Sequence, residues 1–131
     1  MKKTQFSERN ISMVMDMYEL TMSNGYFNQK NQETMVAFDV FYRKNPDNAG
    51  FAMFAGLEQV VEYIRNLHFS EEDVEYLRSR NLFTEEFLEY LRQFKFKGDI
   101  YAMPEGTIMY PNEPVMTVVA PLIDAQLIET A

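Results

Sequence analysis

The sequence predicts an α+β fold with a largely antiparallel sheet. Two observations carry this: segments of helical period gather in the middle of the chain, and short β-branched and aromatic runs lie before and after them, the later ones separated by Pro-Glu-Gly and Pro-Asn-Glu-Pro turns. A chain of 131 residues with 47% hydrophobic content can bury one core of its own. No repeat, low-complexity tract or linker divides it, so residues 1–131 read as a single domain.

The elements follow in order. From Ser12 to Asn24, Met13, Met17 and Leu20 share one helical face with Val14, Tyr18 and Thr21 on the adjoining stripe, which predicts a helix stopped by Gly25. Thr34 to Arg43 has two alternating faces that are both mostly apolar, Asp39 excepted, and reads as a buried strand. Asn45-Pro46-Asp47-Asn48 is a turn cluster, and the chain re-emerges as a short apolar strand from Phe51 to Phe54.

Leu57 to Leu67 places Leu57, Val60, Val61 and Ile64 on one face of a helix. Ser70 with Asp73 three places on is a capping-box signature for a second helix that turns Val74 and Leu77 inward. Thr84 ahead of Glu85 and Glu86 starts a third, with Phe87, Leu88 and Leu91 apolar. After Gly98 the period changes, giving short strands over 99–103, 108–110 and 115–119. Leu122, Ile123, Ala125, Leu127 and Ile128 begin a last helix at about residue 122, which is expected to reach Ala131 because no Gly, Pro or basic last turn stops it.

The formal net charge of −8 argues against nucleic acid as a partner, since backbone phosphates require a basic surface. The acidic residues between Glu58 and Glu89 alternate with apolar ones at helical spacing and form the solvated face of amphipathic helices. With no cysteine there is neither a disulfide framework nor a thiolate metal site. The amino terminus, Met1 to Phe6, is basic without the apolar stretch of a signal sequence, and no run is long enough to span a bilayer, so a soluble cytoplasmic protein is expected. His68, the lone histidine, has no carboxylate or cysteine partner at a recognisable spacing and is read as non-catalytic; Glu105 and Glu113 are read as turn residues.

Function is carried by two strings, Asp16-Met17-Tyr18-Glu19-Leu20-Thr21-Met22 and Phe41-Tyr42-Arg43-Lys44-Asn45-Pro46, followed by Phe54-Ala55-Gly56-Leu57-Glu58. They put an aromatic ring and fixed positive charges at the ends of regular elements, as a site for a flat, anionic, phosphate-bearing substrate requires. Taken singly, Tyr18 serves equally as core packing, and Arg43 and Lys44 as solvated charges at a strand end.

Together with Asp99-Ile100-Tyr101-Ala102-Met103-Pro104-Glu105-Gly106-Thr107, Pro111-Asn112-Glu113-Pro114 and the closing Pro121 to Thr130, these strings resemble the N-terminal part of nicotinate phosphoribosyltransferase, from about Ser12 to Ala131. The resemblance implies that family's N-terminal α/β-hammerhead fold, with the hammerhead over 99–119. The family's α/β barrel would follow and is absent from these residues, so a fragment inactive on its own is expected.

The implied chemistry is transfer of the phosphoribosyl group of phosphoribosyl pyrophosphate to nicotinate, giving nicotinate mononucleotide in NAD salvage. Magnesium and ATP, acting through a phosphohistidine, would be bound mainly outside this segment, which is expected to hold no catalytic residue and no metal ligand. By the resemblance Tyr18 meets the nicotinate ring, in a homodimer at the neighbouring subunit's site, and Arg43 and Lys44 lie near phosphate; Asp16 and Thr21 orient the helix end. The other readings are a related nicotinamide or quinolinate phosphoribosyltransferase and a stand-alone, non-catalytic dimerisation or binding module of the same fold.

Overall fold

The computed structural model describes residues 10–130; the basic amino terminus read above and Ala131 lie outside them. The elements run α1 (Met17–Asn28), β1 (Met35–Val40), β2 (Ala52–Met53), α2 (Leu57–Asn66), α3 (Glu71–Ser79), α4 (Glu85–Arg92), β3 (Asp99–Ala102), β4 (Ile108–Met109), β5 (Met116–Pro121) and α5 (Leu122–Gln126). Among the described residues, no helix is long and apolar enough to cross a membrane.

Both sheets are antiparallel. In the larger, of order β1-β5-β3, β5 is central: Met35 to Val40 stand opposite Pro121 to Met116, and Asp99 to Ala102 opposite Val119 to Met116. Met116, Val118 and Ala120 alternate into the core along β5, the period-two burial of a strand with one covered face. β4 pairs with β2 in a separate two-stranded sheet, Ala52 opposite Met109 and Met53 opposite Ile108, so the 99–119 stretch expected as the hammerhead divides between the two sheets. Gly98 admits the chain into β3: a Cβ there would lie 2.6 Å from that of Ala120 and 2.9 Å from the Val119 carbonyl oxygen.

α3 and α4 begin where their caps predict. Ser70 accepts from the Asp73 amide while the Asp73 carboxylate accepts from the Ser70 amide, and the Thr84 hydroxyl accepts from the Phe87 amide. Val74 and Leu77 of α3 pack with Phe87, Leu88 and Leu91 of α4, with Leu20 of α1, and with Ile123 and Leu127. The rings of Phe27, Phe83, Phe87 and Tyr90 extend this core between α1 and α4. The acidic stretch is the solvated face of these helices, and two arginines bridge it: Arg78 reaches Glu85 and Arg92 reaches Glu71, each at 2.9 Å, tying α3 to α4.

The first helix, the first strand and the last helix depart from the sequence reading. The first helix starts at Met17, not near Ser12, because Ser12 is buried in a preceding turn where its hydroxyl accepts from the His68 amide at 3.0 Å. The same helix runs through Gly25 and stops at Lys30, which takes the left-handed conformation (φ 59°) so that its own amide and that of Asn31 close on the carbonyls of Phe27 and Tyr26. Extending the helix by that turn lets Phe27 reach the core, which outweighs the modest cost of one helical glycine.

The first strand is shorter than 34–43 and is not buried. It lies at the sheet edge, with Val36 and Phe38 half-buried and Met35, Ala37, Asp39 and Val40 exposed; Asp39 accepts from the Thr117 hydroxyl at 2.6 Å. The final helix ends at Gln126 and gives way to a turn over 127–130, where Glu129 bonds back three residues to the Gln126 carbonyl.

Candidate functional site

Tyr18 sits in the first turn of α1, one residue past the start that Asp16 fixes by its extended backbone. The Asp16 side chain caps no helix amide, while the Thr21 hydroxyl donates to the Tyr18 carbonyl at 3.2 Å. The Tyr18 ring is 43% exposed and so is not core packing. Its hydroxyl donates to Glu129 Oε1 at 2.7 Å. That bond to a carboxylate, with lesser contributions from desolvation and from the repulsion of Glu129, pushes the phenol up to about 12.

Arg43 and Lys44 lie just beyond β1 and both are exposed. Residue 42 is anchored on either side of them: the Tyr42 hydroxyl donates to the Met109 carbonyl at 2.8 Å with the Asn45 side chain 2.9 Å away, and the Tyr42 carbonyl accepts from Asn112 at 2.8 Å. The turn that follows uses left-handed backbone at Asp47 and Asn48, residue types that tolerate it. Among the described residues neither cation enters an ion pair, in contrast to Arg78 and Arg92.

The second string borders a cleft of about 390 Å³, which no residue of the first string lines. Phe38, Phe41 and Arg43 line it from the β1 side, Val60 and Ile64 from α2, and Ile128 and Glu129 from the last turn. Tyr18 is thereby joined to the cleft that holds Arg43 through a residue of the opposite terminus. Lys44 does not line it. Asp39 and Glu129 put two carboxylates in the same lining as the Arg43 guanidinium, so the cleft offers apolar walls and one cation with paired donors, while the Tyr18 phenol is linked to it only through its bond to Glu129.

Sequence reasoning missed Glu129, Thr130 and Glu19. Adjacent residues of α1 grip adjacent residues of the last turn, Tyr18 on Glu129 and Glu19 on Thr130, whose hydroxyl donates to the Glu19 carboxylate. Glu19 is fully buried, and burial above all pushes its carboxyl above the usual range. Its position in a motif was visible in the sequence, but a carboxylate one residue from an aromatic carries no periodic signal for burial.

The remaining candidates have other tasks. The exposed His68 ring holds Nδ1 2.7 Å from the Asn66 carbonyl. Glu105 caps α2 from across the fold, accepting from the amides of Gly56 and Glu58 at 3.0 and 3.3 Å, an anion at a helix N-terminus. Among the described residues no three His, Cys, Asp or Glu side chains are grouped to hold a metal ion.

The family model described as the nicotinate phosphoribosyltransferase N-terminal domain matches residues 13–131. A nicotinate phosphoribosyltransferase of Mycobacterium tuberculosis is 44% identical over 115 residues, covering 88% of this chain and 25% of that protein. One from Bacillus subtilis is 41% identical over 126 residues, 96% of this chain and 26% of that protein. Among solved structures, human nicotinic acid phosphoribosyltransferase matches with a TM-score of 0.80 at 32% identity, over 88% of this chain and 24% of that one. The fold alone is shared with a nicotinate-nucleotide pyrophosphorylase of Pyrococcus furiosus, at a TM-score of 0.62 and 24% identity. This chain spans about a quarter of the length of the first two relatives.

Proposed function

The chain belongs to the nicotinate phosphoribosyltransferase family through its N-terminal domain, and from that premise we propose that it is the N-terminal domain of an enzyme that makes nicotinate mononucleotide. The observation that carries the proposal is the exposed Tyr18 ring, held by its hydroxyl on Glu129 within the matched family domain, with Arg43 exposed at the cleft that Glu129 also lines. The half-exposed phenol ring offers a face to the pyridine ring of nicotinate, and the free guanidinium offers paired donors to a phosphate of phosphoribosyl pyrophosphate. Lys44 beside it adds a less directional charge. In the reaction the ring nitrogen of nicotinate bonds to the anomeric carbon as the bond to pyrophosphate breaks; this domain's part is to bind and orient both reactants.

Among the described residues no group of carboxylates or histidines converges to hold magnesium. Magnesium and ATP would be held by other parts of the enzyme. In this reading the working unit is a cytoplasmic homodimer in which Tyr18 serves the neighbouring subunit's site, in keeping with its outward-facing ring.

An assay of the full-length enzyme with nicotinate, nicotinamide and quinolinate as competing acceptors tests the proposal. Nucleotide formation from nicotinate in preference to the other two is expected. Preference for nicotinamide or quinolinate would overturn it.

A further inference from the structure

Tyr18 and Glu129 are held in a relay that no packing requirement explains. The Tyr18 hydroxyl donates to Glu129 Oε1, and Glu129 Oε2 accepts from the side-chain amide of Gln126, which is itself buried. Both carboxylate oxygens are thus engaged, so Glu129 is poorly placed to act as a base or to take a further cation, yet it lines the cleft beside Arg43. The neighbouring bond from Thr130 to the buried Glu19 fixes the backbone of this turn against α1. An exposed aromatic side chain is otherwise free to turn about two torsions, and that freedom must be lost when a flat ligand stacks on it.

The geometry points to Glu129 as the positioning residue for Tyr18: it holds the phenol by its hydroxyl so that the exposed ring is presented in one orientation for a pyridine carboxylate to stack on. This rests on the reading of Tyr18 as the ring that meets nicotinate. Preorganising the ring lowers the cost of binding without touching the bond-making step, so its loss belongs in the Michaelis constant for nicotinate and not in kcat. Glutamine at 129 retains an oxygen that can accept from the phenol, whereas alanine retains none.

The experiment is a kinetic double-mutant cycle on the full-length enzyme with nicotinate varied. Tyr18→Phe and Glu129→Ala are each expected to raise KM for nicotinate about threefold, the effect of one exposed hydrogen bond, with kcat little changed. The double variant should be no worse than either single one, and Glu129→Gln should stay near wild type. Wild-type KM in Glu129→Ala, or single effects that multiply in the double variant, would overturn the proposal.

A second measurement needs no variant at Glu129. In the 131-residue chain the Tyr18 phenol, assigned in a carbon-13 spectrum by its disappearance in Tyr18→Phe, should titrate near 12; titration at the ordinary value of 10 would show that the bond is not made. Failure of the underlying reading has a different signature, since Tyr18→Ala would then leave KM for nicotinate unchanged whatever Glu129 does.

Discussion

Thr130 donates its hydroxyl to Glu19, a carboxylate with no exposure to solvent whose second oxygen has no hydrogen-bond partner among the described residues. Burial is the main force raising its carboxyl above the ordinary 4.5; Glu129 and Asp16 add repulsion, and the Thr130 bond works in the opposite direction. A raised folded-state value means that above pH 4.5 the folded state binds more protons than the unfolded one, so stability falls as pH rises through the window between the two values. Glu19→Gln removes that dependence. Urea unfolding at a series of pH values should show wild type losing ground to Glu19→Gln as pH rises, at no more than about 1.4 kcal/mol per pH unit for one group. Parallel curves would contradict the assignment.

Stability should depend most on the contacts between α1, α3 and α4. Phe87 is fully buried and touches the rings of Phe27, Phe83 and Tyr90, so Phe87→Ala is expected to cost about 3–5 kcal/mol in chemical denaturation. Ser70→Ala, which breaks the reciprocal cap of α3, should cost about 1 kcal/mol. A Ser70→Ala loss as large as that of Phe87→Ala would mean that the cap carries contacts beyond the helix end.

Much of this architecture was legible because caps and periods are local. Ser70 and Thr84 each carry their own signal, and α3 and α4 began where it placed them, while the strand read over 115–119 runs from Met116 to Pro121. The errors lie where a distant contact decided the outcome. Ser12 was drawn out of the first helix by the His68 amide, 56 residues away. Lys30 adopted a backbone conformation that its residue type does not advertise, and β1 lies at the edge because among the described residues it pairs with β5 alone, which no local signal reveals. At the site, Tyr18 and Arg43 stood out by residue type and motif, but the link between them is a glutamate in a stretch that reads simply as helix.

For Arg43, the expected cost of Arg43→Ala in the full-length enzyme is about 1.5–3 kcal/mol in kcat/KM for phosphoribosyl pyrophosphate, the range for a charge-assisted hydrogen bond. Arg43→Lys should restore part of it, because an ammonium keeps the charge but not the paired donors. Wild-type constants in both variants would leave Arg43 a solvated charge beside the cleft.

The 131-residue chain alone should form no nicotinate mononucleotide and hydrolyse no ATP, since it spans only about a quarter of the length of its relatives. Product formation by chain freed of host enzyme would assign the whole reaction to these residues.

The central claim is that Tyr18 is a ligand-facing ring, and the most direct measurement is KM for nicotinate in a folded full-length Tyr18→Ala enzyme. Loss of the stacking face and its hydroxyl anchor predicts a rise of roughly five- to tenfold, with KM for phosphoribosyl pyrophosphate little changed. An unchanged KM for nicotinate would contradict the account and leave Tyr18 as a surface residue whose one role is to bind Glu129.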